Sequence, residues 1–370
     1  METRMDKKSK SENILKKKVS LVVTVGICVG SLVLLYLVGH INIFSTTYSV
    51  AEAESNIKIP VPRAPEKLDK VAYDARLIKN ANYASTTLAK RTASSTPLLW
   101  PTKTVYPNAG AILPFKRIIA YYGNFYSKGM GVLGEYPAPE MIRKLKAEIA
   151  VWNAADPSTP AIPAINYILI TAQESAGKDG KYRLRMPDTQ VDRAIELAKE
   201  VNGIVILDVQ VGLSNLPTEL PMYEKYFKMP QVHLGIDPEF AMHNGTRPGR
   251  VIGSFDAVDI NYAINYLSKL VKENNLPPKV LVVHRFTEDM VTNYKQIKPT
   301  PEVQIIMDMD GWGFGAKKIN TYNTVVASEP VQFTGFKLFY KNDLKPPSTR
   351  LLTPAEILSL TPQPLFIQYQ

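Results

Sequence analysis

The chain has 370 residues, with 44 Lys and Arg against 34 Asp and Glu, a formal net charge of +10. Apolar residues make up 45% and aromatics 9%, enough for a sizeable core, which excludes global disorder. The single cysteine, Cys28, excludes an internal disulfide framework and a Cys-rich zinc module.

The basic excess is confined to the N-terminal third. Residues 1–115 hold 16 Lys and Arg and 8 Asp and Glu, which leaves 28 and 26 for residues 116–370. A working domain so close to neutral has no electrostatic footprint for nucleic acid. Lys16, Lys17 and Lys18 precede an uncharged apolar run of 20 residues, Val19 to Val38, about the length that ~30 Å of hydrocarbon requires. Lysines on its N-terminal side predict a basic cytoplasmic tail over 1–18, a membrane anchor over 19–39 and an extracytoplasmic remainder. A cleaved signal peptide is the alternative. Its apolar region is typically ~7–15 residues, and Ala51-Glu52-Ala53, which has the small-x-small pattern of a cleavage site, lies 13 residues beyond Val38. From 40 to 115, Pro60, Pro62, Pro65, Pro97, Pro101, Pro107 and Pro114 recur among Ser, Thr, Lys and Ala. This composition predicts a largely irregular stalk with one short helix near 67–88.

Beyond Phe115, β-branched runs alternate with amphipathic stretches. Strands are predicted over 117–122, 165–172, 204–210, 232–237, 280–286, 303–308, 335–340 and 365–369. Helical segments are predicted over 139–154, 189–201, 219–227, 257–274, 289–295, 317–327 and 354–360. In the second of these Asp188 is positioned as cap, Val191, Ala194, Ile195 and Ala198 form an apolar stripe, and Gly203 ends it. Eight strand–helix units in ~250 residues predict a (β/α)8 TIM barrel over 116–370. Continuous apolar strands such as ILIT, IVIL and VLVV suit a parallel sheet covered by helices. A doubly wound open sheet is the competing arrangement.

A barrel of this kind builds its site at the C-terminal strand ends, so the residues there carry the information. Strand 1 ends in Tyr121-Tyr122, strand 3 in Asp208-Val209-Gln210, and strand 4 in Asp237-Pro238-Glu239. Strand 5 ends in His284-Arg285-Phe286, strand 6 in Asp308-Met309-Asp310, strand 7 in Phe339-Tyr340-Lys341, and strand 8 in Gln368-Tyr369-Gln370. Asp237 and Glu239 are two residues apart and face one side of an extended strand, with His233 and Gly235 behind them. Two carboxylates roughly 6–7 Å apart suit general acid–base work on a glycosidic bond, since the charge of one keeps the other protonated. The plainer alternative is that Glu239 caps a turn and Asp237 binds loop amides.

An Asp-x-Glu at the end of strand 4 resembles glycoside hydrolase barrels, chiefly the family 25 lysozyme-like enzymes and more loosely the family 18 chitinase-like ones. The resemblance implies Glu239 as proton donor and Asp237 as its partner. The longer family 18 signature carries acids further upstream, where this chain has His233 and Gly235. Glycosidases with a second Glu on strand 7 are not matched, because that strand ends in Phe339-Tyr340-Lys341. Over about 117–370 the architecture also resembles bacterial extracytoplasmic barrel proteins described as glycosidase-like.

Other residues fit a sugar site. Tyr121, Tyr122, Tyr126, Phe286, Trp312, Phe314 and Tyr340 are placed to ring the mouth, though aromatics at barrel ends also serve as packing. Asp208 and Asp308 are candidates to activate water or stabilise positive charge. His284, Asp310 and Gln368 are candidates to bind hydroxyls. The same acids and histidine would also suit a hard divalent cation, but no His-x-His or His-Glu-x-x-His supports zinc, so no metal and no cofactor is expected. Gly129-Met130-Gly131-Val132-Leu133-Gly134 fits G-x-G-x-x-G, yet six residues separate it from the strand, unlike a dinucleotide fingerprint. It and Gly311-Trp312-Gly313-Phe314-Gly315 read as loops over the mouth. No Walker loop and no G-x-S-x-G elbow occurs. Two functions follow: a membrane-anchored extracytoplasmic glycoside hydrolase acting on a polysaccharide such as cell-wall glycan, or a non-catalytic barrel that binds glycan or protein at the cell surface.

Overall fold

The runs of aliphatic residues form eight strands: β1 Arg117–Gly123, β2 Ala161–Ala172, β3 Ile204–Val209, β4 Val232–Ile236, β5 Lys279–Arg285, β6 Val303–Met309, β7 Phe333–Leu338 and β8 Phe366–Tyr369. Each pairs in parallel with the next, and β8 pairs with β1, so the sheet closes. Closure settles the architecture as a (β/α)8 barrel and removes the open-sheet alternative. The computed structural model describes residues 67–92, 98–103, 105–243 and 245–370. The basic tail, the apolar run Val19 to Val38 and the first part of the stalk lie outside the described residues. Among those described, no helix is long and apolar enough to cross a membrane.

Strand alternation sorts the apolar side chains into two layers. Ile119, Tyr121, Ile165, Leu207, Leu234, Leu281, Ile305 and Phe336 pack outward against helices. The main helices are α1 Lys70–Ala81, α2 Ser85–Thr92, α3 Ala138–Ala155, α4 Asp188–Glu200, α5 Ala257–Asn274, α6 Gly315–Thr321 and α7 Pro354–Leu358. Ile118, Ala120, Ile206, Val280, Val282, Ile306 and Phe333 instead form an apolar cluster with Tyr73, Leu77 and Ala81 of α1, Trp100 and Leu113. The last part of the expected stalk is therefore helical in two pieces and plugs the N-terminal end of the barrel. The Trp100 indole donates to the Gln332 carbonyl. The Gln304 carboxamide accepts from the Ile112 and Leu113 amides at 3.0 and 3.1 Å and donates to the Leu113 carbonyl at 2.7 Å. A tryptophan or leucine buried in such a plug contributes roughly 1.5–3 kcal/mol.

Three local expectations are corrected. α4 begins at Asp188 itself, so Pro187 takes the cap position without a side-chain cap bond, and the Asp188 carboxylate pairs with Lys225 at 2.6 Å instead. The segment 219–227 is not one helix: Pro221 interrupts it, leaving a 3₁₀ turn, Leu220–Tyr223, between the short α turns Leu216–Glu219 and Glu224–Phe227. The segment 289–295 holds 3₁₀ turns and a two-residue strand, Val291–Thr292, where a helix was expected.

Candidate active site

A cavity of about 440 Å3 opens at the C-terminal ends of the strands. Asp237 directly follows β4, and Glu239 sits in the 3₁₀ turn Pro238–Phe240; both line the cavity. One Asp237 oxygen accepts from the Glu239 backbone N–H at 3.1 Å, and the other accepts from the Gln210 carboxamide at 3.1 Å. Gln210 is itself fixed, because its carbonyl oxygen accepts from the Ala172 amide at 3.0 Å. Asp237 thus does what the plainer reading asks of it, and it faces the cavity as well. The Glu239 side chain is half-buried and has no hydrogen bond or ion pair among the described residues. Burial, followed by the charges of Asp237 and Asp310, pushes its carboxyl up to about 8. Burial also pushes Asp237 up to about 6, with His284 opposing and Asp310 and Asp208 adding to the rise. A carboxylic acid that keeps its proton near neutrality sits beside one that releases it sooner, which divides the pair into acid and base.

Beneath the cavity lies a layer of charge where barrels usually carry branched aliphatic residues. The His284 imidazole meets Asp208 at 2.8 Å through Nε2, and meets Asp310 at 3.1 Å and Asp308 at 3.4 Å through Nδ1. Burial alone would lower the His284 pKa, but these carboxylates outweigh it and hold the ring well above its usual value. Lys337 on β7 pairs with Asp310 at 2.8 Å and lies 4.0 Å from the Tyr122 ring centroid. Asp310 is held below the usual carboxylate range; burial acts against this, and Lys337 and His284 more than offset it. Asp308 is raised by burial, which the His284 contacts only partly counter.

Two glycines make room for these acids. A Cβ at Gly235 would lie 2.5 Å from Asp208 Oδ2, and one at Gly335 would lie 2.5 Å from Asp308 Oδ1 and 2.9 Å from the Phe366 ring. Gly335→Ala is expected to lower stability by about 1–3 kcal/mol, the usual cost of overpacking a closed interior. Urea denaturation checks this, and an unchanged midpoint would show that the floor yields freely.

Asp208, Asp308 and Gln368 lie fully buried under the floor, which keeps them from touching a sugar directly. Gln368 donates to Asn166 at 2.8 Å, and Asn166 donates to Asp208 at 3.0 Å. Asp310, Tyr122, Phe286 and Trp312 do line the cavity. Tyr121 and Tyr340 do not: they face the helical layer, sharing a hydroxyl contact of 3.0 Å, and Tyr340 donates to Glu148 of α3 at 2.7 Å. Their placement at the mouth is therefore corrected to packing. His233 lies deeper in the barrel, its Nδ1 accepting from the Val280 amide at 3.0 Å, and burial keeps it neutral. Gln210 and Gln370 at the strand ends and Met130 of the first glycine-rich loop line the cavity, and so do Lys337 and Lys318, which the sequence patterns did not single out. Lys337 had a visible signal, a lone lysine inside the apolar strand GFKLFY.

The first glycine-rich segment is packed tightly against β1. Gly131 has φ +125°, and a Cβ there would strike the Tyr122 carbonyl, while Met130 reaches over the mouth. The second, Gly311 to Gly315, is pinned from below. Lys318 donates to the Gly311 carbonyl at 2.8 Å and pairs with Asp343 at 2.8 Å, and Asp343 accepts the Gly313 N–H at 2.9 Å. Among the described residues no group of three His, Cys, Asp or Glu could hold a metal ion. The positive charge that a cation would bring to these acids comes from His284 and Lys337.

No protein-family model matches the chain, and no curated protein matches it. Solved structures similar to it include a ruminal GH26 endo-β-1,4-mannanase at 13% identity and TM-score 0.30, covering 69% of this chain and 59% of the mannanase. Another is the GH36 α-galactosidase AgaA of Geobacillus stearothermophilus, at 10% identity and TM-score 0.33, covering 69% of this chain and 39% of the galactosidase. The chain thus spans less than two thirds of either. The barrel stands on its own strand pairing.

Proposed function

We propose that the protein is a membrane-anchored extracytoplasmic glycoside hydrolase that cleaves a polysaccharide, cell-wall glycan being one candidate, by carboxylate acid–base catalysis. The observation that carries this is Glu239: a carboxyl in an open cavity with no hydrogen bond or ion pair among the described residues, raised by burial and by Asp237 beside it. Glu239 protonates the glycosidic oxygen as the C–O bond breaks and the electron pair leaves with the oxygen. Asp237 stabilises the positive charge that develops on the sugar ring, or takes a proton from the attacking water. Asp310, held ionised by Lys337 and His284, adds negative potential on the cavity wall. The basic residues before the 20-residue apolar run support an anchor with its N-terminus in the cytoplasm and the barrel outside.

The pH dependence follows from the two carboxyls. Glu239 must keep its proton, so activity is expected to fall as pH rises through about 8. Asp237 must lose its proton, so activity falls as pH drops through about 6. As the groups interact, the two limbs belong to the pair. Release of reducing ends from polysaccharide, followed across pH, checks this. A single-limbed rise into the alkaline range would rule out Glu239 as the acid. Binding without release at any pH would leave a glycan-binding barrel.

A further inference from the structure

We propose that the rim of the cavity around Trp312 is a subsite for an anionic pyranose, a sugar ring bearing a carboxylate or a phosphate. This rests on the carbohydrate reading of the cavity and adds the charge of its ligand.

The Trp312 side chain is 50% exposed at the edge of the cavity, a costly place for a large apolar ring. Its backbone is fixed all the same, because the buried Lys318–Asp343 pair holds the carbonyl before it and the N–H after it. A rigid, exposed indole is a stacking platform for the apolar face of a sugar. Two ammonium groups lie over that ring as cation–π partners. Lys317 Nζ lies 5.4 Å and Lys345 Nζ 5.0 Å from the Trp312 ring centroid. Gly313, at φ +144°, leaves the space that the Lys317 stem occupies, since a Cβ there would lie 2.9 Å from Lys317 Cδ.

Apart from the carboxyls of Asp237 and Glu239, the charges elsewhere on the cavity wall are matched. Lys318 is paired with Asp343, Lys337 with Asp310, and Asp310 also with His284. Both Lys317 and Lys345 are exposed, and neither forms an ion pair among the described residues. The uncompensated charge beside the exposed Trp312 is therefore positive. An acidic substituent on a sugar ring packed against Trp312 would meet these two ammonium groups, which an exposed cation–π contact holds only weakly.

The test is calorimetric titration of the full-length chain with two matched pairs of probes. One is tetragalacturonate against its carboxyl-reduced galactose counterpart. The other is pentamannose 6-phosphate against pentamannose. Each exposed ion pair is weak, so the two lysines together predict a preference of roughly fivefold for an anionic member over its neutral partner. That preference should shrink as salt is raised. The double substitution Lys317→Met with Lys345→Met should erase it while the neutral probe binds as before, and Trp312→Ala should weaken both members of a pair. The pair that shows the preference identifies carboxylate or phosphate as the recognised group. Equal affinity within both pairs, a preference that survives the double substitution, or no binding of either anionic probe would overturn the proposal. Failure of the hydrolase reading looks different: the anionic preference persists, and no probe is cleaved.

Discussion

Glu239→Gln is expected to lower kcat on an unactivated polysaccharide by about a thousandfold, the middle of the range for loss of general acid catalysis. The amide matches the carboxyl in size but has no proton to give the leaving oxygen. Because the Glu239 side chain forms no hydrogen bond or ion pair among the described residues, the substitution should change stability by less than about 1 kcal/mol. The decisive comparison is leaving-group dependence. A dinitrophenyl glycoside departs as a stable phenolate without protonation, so its cleavage should fall far less than that of the polysaccharide. The alkaline limb of the pH profile should also vanish. Full activity of Glu239→Gln on polysaccharide would end the assignment, and an equal fall on both substrates would move Glu239 from proton donor to binding residue.

The largest effect on stability is expected at His284. Replacing it with Leu keeps the bulk and removes the cation that faces Asp208, Asp308 and Asp310. Stranding buried charge in this way costs about 3–5 kcal/mol, enough to lower Tm by roughly 6–15 °C in a barrel of this size. Asp308→Asn added to His284→Leu should recover part of the loss, because it removes one of the stranded acids. Protonation makes its own contribution. The folded ring binds its proton more tightly than an unfolded one with the ordinary value of 6.5. The stability gained is therefore complete below that value and is lost as pH rises through the raised one. Thermal unfolding of both variants across pH measures this. A Tm for His284→Leu within the scatter of the unsubstituted chain would mean that the acids below the floor are not ionised.

Most of the barrel was legible because its signals are local. Runs such as VLVVH and VQIIMDM can be buried on both faces only in a sheet covered on both sides, and acids at their ends need a polar environment. Strand parity holds for Asp237, but Glu239 lies beyond the strand in the 3₁₀ turn Pro238–Phe240, so the expected extended-strand pairing of the two is corrected to a turn that brings both to the cavity. The same rule carried through strand 1 places Tyr122 inside and Tyr121 against the helices, as the structure has it. Tyr121 was misplaced because proximity to the strand end was weighed above parity, and Tyr340 follows the chain out of the barrel after β7. Lys337 lies inside its strand, and its role depends on Asp310 at the end of the neighbouring strand β6, a contact no local pattern encodes. The plug was hidden for a related reason. Tyr73, Leu77 and Ala81 recur at helical spacing, but the prolines around them weigh toward a stalk, and the surface they cover is assembled from distant strands. The Asp289 region has helical composition, yet its short turns answer to contacts with neighbouring loops.

The two ends of the barrel are held by different physics. At one end Trp100, Tyr73 and Leu113 seal the strand starts with apolar surface, whose stabilising effect is nearly independent of pH. At the other, His284, Asp310 and Lys337 hold the strand ends by charge. Local opening should therefore be polarised along the barrel axis. Once the intrinsic base catalysis of exchange is divided out, amides at the starts of β7 and β8, which Phe333 and Phe366 bury in the apolar cluster, should keep steady protection from deuterium exchange through the alkaline range. Those near His284 and Asp310 should lose theirs as the imidazole gives up its proton, so that the mouth loosens while its foundation stays shut.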